Sequence, residues 1–200
     1  MAGANLVLSE KSSMPSQMSA HVAPQDATIH MGSSEYYSLQ RSIFEVGLPF
    51  VKPRSRVVDL SCTDGAWLSP FIEKFEDLGH FIGVTNDEKE AYSCMDRFRM
   101  RIRLGIVEIA SLDLEERFPE ISSNLTISVN KLGVLSSLRQ EEVLGKIRKY
   151  LERGGAFILV EKVKSTSEAQ AWENTLKAAG FRQPSRFWSK NGFVAWMAMK

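Results

Sequence analysis

From Glu35 onward, short apolar runs alternate with stretches in which apolar residues recur every three or four positions. That alternation predicts repeated strand-helix units wound on both sides of a mainly parallel sheet. Strands are expected at Arg56–Leu60 (RVVDL), His80–Thr85 (HFIGVT), Ile106–Ile109, Leu125–Val129 (LTISV) and Ala156–Glu161 (AFILVE). All are short and rich in Val, Ile, Phe and Leu, as strands covered on both faces are. A helix over Leu138–Arg153 would place Val143, Leu144, Ile147, Tyr150 and Leu151 on one face. Ser137 and Gln140 have the spacing of a capping box, and Gly154 and Gly155 read as its stop. A second helix over Glu168–Ala179 gathers Ala171, Trp172, Thr175, Leu176 and Ala179 on one side before Gly180. The chain then reads Ser185–Lys190, Asn191-Gly192, Phe193–Met199, and Asn-Gly is the strongest two-residue signal for a type I′ hairpin. With it the count comes to seven strands, the last two antiparallel. Phe187, Trp188, Phe193 and Trp196 along the hairpin are read as core or rim packing, against a protein-binding surface as the alternative.

Residues 1–29 break this pattern. They mix Ser, Pro, Gln, Met and Ala without an aromatic residue, too little apolar surface to offset chain entropy. They are read as an arm, either a plain tail or a segment that orders on a protein partner through Leu6, Val7, Leu8, Met14 and Met18. Residues 30–200 then form the folded domain. The formal charge of +1 supplies no general pull toward nucleic acid, yet leaves room for a local basic patch. Arg97, Arg99, Arg101 and Arg103 are such a patch, suited either to phosphates or to a solvated helix end. Two cysteines, Cys62 and Cys94, point to reduced thiols and a cytoplasmic setting. No apolar run is long enough for a membrane span or a signal core, and His21, His30 and His80 lack metal-ligand spacing, so no metal is expected.

In doubly wound sheets a ligand sits at the carboxyl ends of the strands, near the point where strand order reverses, which directs attention to the turn after the first strand. It reads Val57-Val58-Asp59-Leu60-Ser61-Cys62-Thr63-Asp64-Gly65. This turn resembles that of the class I S-adenosylmethionine-dependent methyltransferases, typically Asp-Leu-Gly-Cys-Gly-x-Gly. Within them the chain is most similar to the carboxy-S-adenosylmethionine synthases. That likeness runs from about His30 to Lys200 and rests on this turn, the Gly154-Gly155-Ala156 entry to the fifth strand, the Glu161-Lys162 exit, and Lys177-Ala178-Ala179-Gly180-Phe181. It implies a Rossmann-like class I methyltransferase fold and S-adenosylmethionine as cofactor. The chain departs from the synthases after Lys162, where only residues 163–171 precede Trp172 and the family carries a longer helical insertion.

The resemblance also assigns candidate residues. Asp59, Ser61, Cys62 and Gly65 would form the cofactor turn, with Gly65 letting the ligand approach the backbone. Thr85 stands where the fold usually supplies a ribose-binding acid, with Asn86 and Asp87 as partial substitutes, and Ser111 stands near the adenine position. Neutral groups at such positions forgo charge-assisted hydrogen bonds, so the cofactor motif is altered. Asn130 is a candidate contact after the fourth strand, against a loop-capping amide. Tyr36 and Tyr37, expected just before the first helix, would cover the ligand or anchor the core. Two functions fit: a methyltransferase that transfers the methyl group of S-adenosylmethionine to an unidentified acceptor, or an inactive methyltransferase-fold scaffold that binds partner proteins. No catalytic base is nameable.

Overall fold

The computed structural model describes residues 33–75 and 78–200; the arm read at residues 1–29 lies outside them. Seven strands form one sheet in the order β3-β2-β1-β4-β5-β7-β6. They are β1 (Arg56–Asp59), β2 (His80–Thr85), β3 (Val107–Ser111), β4 (Ser123–Val129), β5 (Leu151–Lys162), β6 (Arg182–Lys190) and β7 (Phe193–Met199). The first five run parallel, and β7 enters antiparallel between β5 and β6. Strand order therefore reverses between β1 and β4, the place where a doubly wound sheet opens a crevice.

Alternation along the strands divides the core into two layers. On β5, Phe157 and Leu159 face the layer built with α5 (Ser137–Tyr150) and α6 (Thr166–Ala178), through Val143, Leu144, Ile147, Trp172 and Leu176. Ala156, Ile158 and Val160 face the other layer, which holds α1 (Ser33–Gly47), α2 (Ser69–Phe75) and α3 (Glu88–Arg97), with Leu39, Ile43, Phe71, Ile72 and Cys94 inward. A short α4 (Arg99–Arg103) follows α3. Among the described residues no helix is long and apolar enough to cross a membrane.

Several boundaries differ from the sequence reading, each for a physical reason. The helix expected to reach Arg153 ends at Tyr150, because Leu151 is needed as a fully buried strand residue opposite Ser123. Gly154 takes its left-handed φ of 75° inside β5 instead of stopping a helix. Pairing jumps there from Ser123/Leu151 to Leu125/Ala156, so residues 152–155 bulge opposite Asn124. The N-cap of α5 is Ser136, whose hydroxyl accepts from the Arg139 amide at 3.4 Å, while Gln140 donates to the Leu135 carbonyl. Tyr36 and Tyr37 lie within α1, not ahead of it. The hairpin forms as read, with Asn191 and Gly192 at φ 52° and 78°.

Trp196 is fully buried on β7, its indole N–H donating to Glu173 at 3.4 Å. Trp188 is half-buried and donates to Ser38 on α1. Replacing Trp196 by Ala should destabilise the domain by about 3–5 kcal/mol, read as a lower midpoint in urea unfolding; a loss below about 1 kcal/mol would mean that β7 is not central to the core.

Candidate functional site

The turn after β1 is stitched to both neighbouring strands. The Leu60 amide donates to Ile127 on β4 at 2.8 Å, and the Cys62 amide to Val84 on β2 at 3.0 Å. Asp59 is fully buried, and its Oδ1 accepts from the Ser61 amide at 2.9 Å and from the Ser61 hydroxyl at 2.8 Å. The same hydroxyl accepts from the Val129 amide at 2.8 Å, fastening the turn to the end of β4. Asp59 Oδ2 is buried and has no hydrogen-bond partner. Burial pushes the Asp59 carboxyl up to about 7, against the Ser61 bonds, and the nearby charges of Asp64 and Glu90 push the same way.

Gly65 holds a φ of 78°, and a Cβ there would lie 2.2 Å from the ring of Phe98. The glycine read as an opening for a ligand is thus required by a left-handed turn and by Phe98, which fills that side from the α3–α4 junction. Cys62 also faces inward, its Sγ 3.0 Å from Cys94 Sγ. Hydrogen bonding to Cys94 and burial hold the Cys62 thiol far above the ordinary thiol range, so it is packing and not a nucleophile.

At the end of β2 the sequence missed an acid. Thr85 is buried and donates to Glu90 Oε2 at 2.7 Å. Glu90 sits in the first turn of α3, five residues beyond the strand, where Asp87 caps the helix by accepting from the amides of Lys89 and Glu90. Asp87, considered as a stand-in for the missing acid, is committed to that cap. The signal was available: Asp87 followed three residues on by Glu90 is a helix start that turns an acidic side chain back toward the strand end. Asn86 instead accepts from Lys131 Nζ at 2.8 Å, a bridge from the end of β2 to the loop after β4.

Ser111 is the exposed last residue of β3, paired in register with Thr85. Asn130 follows β4 with a left-handed φ of 51°, its amide donating to Val160. Tyr36 packs over Trp67 with ring centroids 5.0 Å apart. Its hydroxyl is pushed up to about 12 by burial and then by the Asp64 charge, which places it beside the turn. Tyr37 is 66% exposed and contributes an edge to Tyr36 only. The arginine stretch disperses into separate pairs: Arg97 bonds Asp64 of the turn at 3.2 Å, and Arg99 bonds Asp96. His80 lies 3.9 Å from Glu108, and among the described residues no group of three His, Cys, Asp or Glu is placed to hold a metal.

The structure therefore brings Asp59, Ser61, Thr85, Asn86 and Glu90 together at the carboxyl ends of β1 and β2, with Asn130 and Lys131 in the loop after β4 and Ser111 at the end of β3. Carboxy-S-adenosyl-L-methionine synthases from Methylococcus capsulatus and Idiomarina loihiensis are each 27% identical to the chain, over 133 and 140 residues. The alignments cover 66% and 67% of this chain but 55% and 56% of those proteins, so the chain spans about half the length of the curated relatives it matches. No family model matches. Among solved structures, an O-methyltransferase family protein from Burkholderia thailandensis superposes with a TM-score of 0.66 at 14% identity, covering 83% of this chain and 56% of that one. Coclaurine N-methyltransferase, solved with N-methylheliamine and SAH, gives 0.54 at 18% identity over 62% and 35% of the two chains. The chain shares its fold with these methyltransferase structures.

Asp59 has a titration consequence. Its ordinary value is 3.8 and its folded value about 7, so the folded chain binds this proton more tightly than the unfolded one. Its contribution is most favourable below about pH 4 and is lost as pH rises toward 7. Asp59→Asn keeps the acceptor for Ser61 and removes the ionisation. Relative to the parent, its stability should rise by about 1–2 kcal/mol between pH 5 and pH 8, measured by urea unfolding; a constant difference across that range would show that Asp59 does not titrate there.

Proposed function

We propose that this chain binds S-adenosylmethionine in the crevice at the carboxyl ends of β1, β2 and β4 and presents its methyl group to a small-molecule acceptor. The observation that carries this reading is the buried Asp59 carboxyl with an unpaired oxygen at the end of β1, beside Glu90, which accepts from Thr85 at the end of β2. S-adenosylmethionine supplies a sulfonium whose methyl carbon is electrophilic when it is bound.

The residues present fit that molecule. A ligand carrying a sulfonium and an ammonium is favoured by carboxylates in a partly desolvated site. Asp59 keeps one buried oxygen unpaired, and unpaired buried acceptors cost stability unless a donor reaches them. Glu90, aimed at Thr85, supplies at the strand end the charge that Thr85 lacks and can accept from a ribose diol. Lys131 and Asn86 offer donors to a carboxylate on the other side. Tyr36 and Trp67 form an apolar wall beside the turn. Methyl transfer breaks the carbon-sulfur bond as the acceptor's lone pair forms the new bond, with S-adenosylhomocysteine leaving. The residues of the chain serve this step by holding the two reactants in line, where orientation supplies most of the acceleration.

On this reading the turn is a modified cofactor motif in which Ser61 trades a glycine's openness for a fastening to β4. The buried thiols suit a reducing compartment such as the cytoplasm. We assign the acceptor no further identity, and the arm at residues 1–29 remains a proposed protein-binding segment.

Calorimetric titration with S-adenosylmethionine and S-adenosylhomocysteine tests this reading. Dissociation constants in the micromolar range are expected, with about a tenfold loss in Glu90→Gln. Absence of heat with about 1 mM ligand would overturn it and return the chain to the partner-binding scaffold.

A further inference from the structure

At the opposite, amino-terminal end of the sheet lies a pocket of about 280 Å³ that the methyltransferase reading does not use. It is separated from the turn after β1 by the length of that strand, about 20 Å from Ser55 to Ser61. Three cations line it: Lys52 and Arg54 from the loop before β1, and Arg153 from the bulge in β5. All three side chains are exposed, and among the described residues none forms an ion pair. The acid nearest in sequence, Glu152, is engaged by the Ser122 hydroxyl.

The backbone holds these cations in place. Arg54 has a left-handed φ of 70°, a conformation that disfavours residues other than glycine. Its amide donates to the Leu78 carbonyl, and the Ser55 hydroxyl accepts from the Lys52 amide at 2.8 Å, closing the loop on itself. Across the pocket, Asn124 accepts from the Arg56 amide through Oδ1, which leaves its Nδ2 as a donor. Gly154, at φ 75°, lies in the bulge that brings Arg153 to the same pocket as Arg54. Lys200 Nζ, held by the carbonyls of Lys149 and Leu151, adds positive charge beside the bulge. Phe50 supplies one apolar wall.

We propose that this pocket is a second ligand site, one that takes a small aromatic phosphate monoester. The phosphate lies among Lys52, Arg54 and Arg153, whose two guanidinium forks match its paired oxygens. The flat body of the ligand lies against Phe50. Three cations, without an ion pair among the described residues, line one concave wall, and one of them, Arg54, sits on a left-handed backbone.

The test is a titration of the whole protein with inorganic phosphate and with phenyl phosphate, followed by amide NMR at constant ionic strength. Phenyl phosphate lacks an adenosine and so does not probe the cofactor crevice. Saturating shifts are expected at Lys52, Arg54, Ser55, Asn124 and residues 153–155, with phenyl phosphate binding about tenfold more tightly than phosphate. Arg54→Gly removes the guanidinium while suiting the left-handed backbone, so it should melt no lower than the parent and weaken binding by about tenfold. Arg153→Ala should weaken it similarly. Shifts that do not saturate by about 20 mM, or that persist unchanged in the Arg54→Gly/Arg153→Ala double variant, would overturn the site. Equal affinity for the two ligands would overturn the aromatic assignment.

Discussion

The hydroxyl of Ser61 stands at the centre of this molecule: it donates to the buried carboxylate of Asp59 and accepts from the amide of Val129. β1 and β4 are adjacent in the sheet but separated in the chain by 68 positions at this contact. Past the Leu60 amide's bond to Ile127 the two strands part, and a doubly wound sheet opens at that point. Ser61 spans the gap with one hydrogen bond, from the Val129 amide, and ties it to β1 through the other, to Asp59. A turn glycine at the same position would keep the amide bond to Asp59 but leave the Val129 amide without its partner. Backbone openness is thus exchanged for a fixed geometry, and everything placed by that turn inherits it.

Glu161 repeats this arrangement one strand farther along. It is buried at the end of β5, and its Oε1 accepts from the Leu132 amide at 2.8 Å, while Oε2 lies 2.6 Å from where a Cβ on Gly133 would stand. Burial pushes its carboxyl up to about 7, opposed by the amides of Gly133, Leu132 and Lys131. Two carboxylates therefore pin the two loops that border the crevice, each at a desolvation cost that backbone donors offset in part. The loop pinned by Glu161 carries Lys131, and the turn pinned by Asp59 carries Asp64.

Most of the sheet was legible because parallel strands covered on both faces must be apolar almost throughout, and β1, β2, β4 and β5 are. The hairpin was legible because Asn191-Gly192 meets the backbone demands of its turn. The bulge in β5 was not: Gly154 and Gly155 carry the same signal for a helix stop as for a bulge, and only the pairing of Leu151 with Ser123 separates the two. The crevice was half legible. Asp59, Ser61 and Thr85 lie at strand ends, which sequence order locates. Glu90 reaches the strand end from a helix whose start, Asp87 with Glu90 three residues on, is written in the sequence, whereas Phe98 reaches Gly65 from 33 positions away with no local signature. Cys62 looked like part of the ligand turn because of its position, and only the strand pleat shows it facing Cys94.

Charges at the helix ends follow the polarity of the helices themselves. In a strand-helix repeat, helices begin near the carboxyl ends of the strands, where unpaired amides and the macrodipole favour acids, and they finish near the amino ends, where cations are favoured. Asp87, Glu88 and Glu90 stand at the start of α3, and Glu168 in the first turn of α6. Lys74 closes α2, Arg148 and Lys149 close α5, and Lys177 closes α6. Such pairing accounts for the helix-end charges, but not for Asp59 and Asp64 at one end or for Lys52, Arg54 and Arg153 at the other, since none of these lies in a helix. These charges sit on β1, the turn after it, the loop before it and the bulge of β5, so strand ends and loops, not helices, set them on a chain whose net charge is only +1.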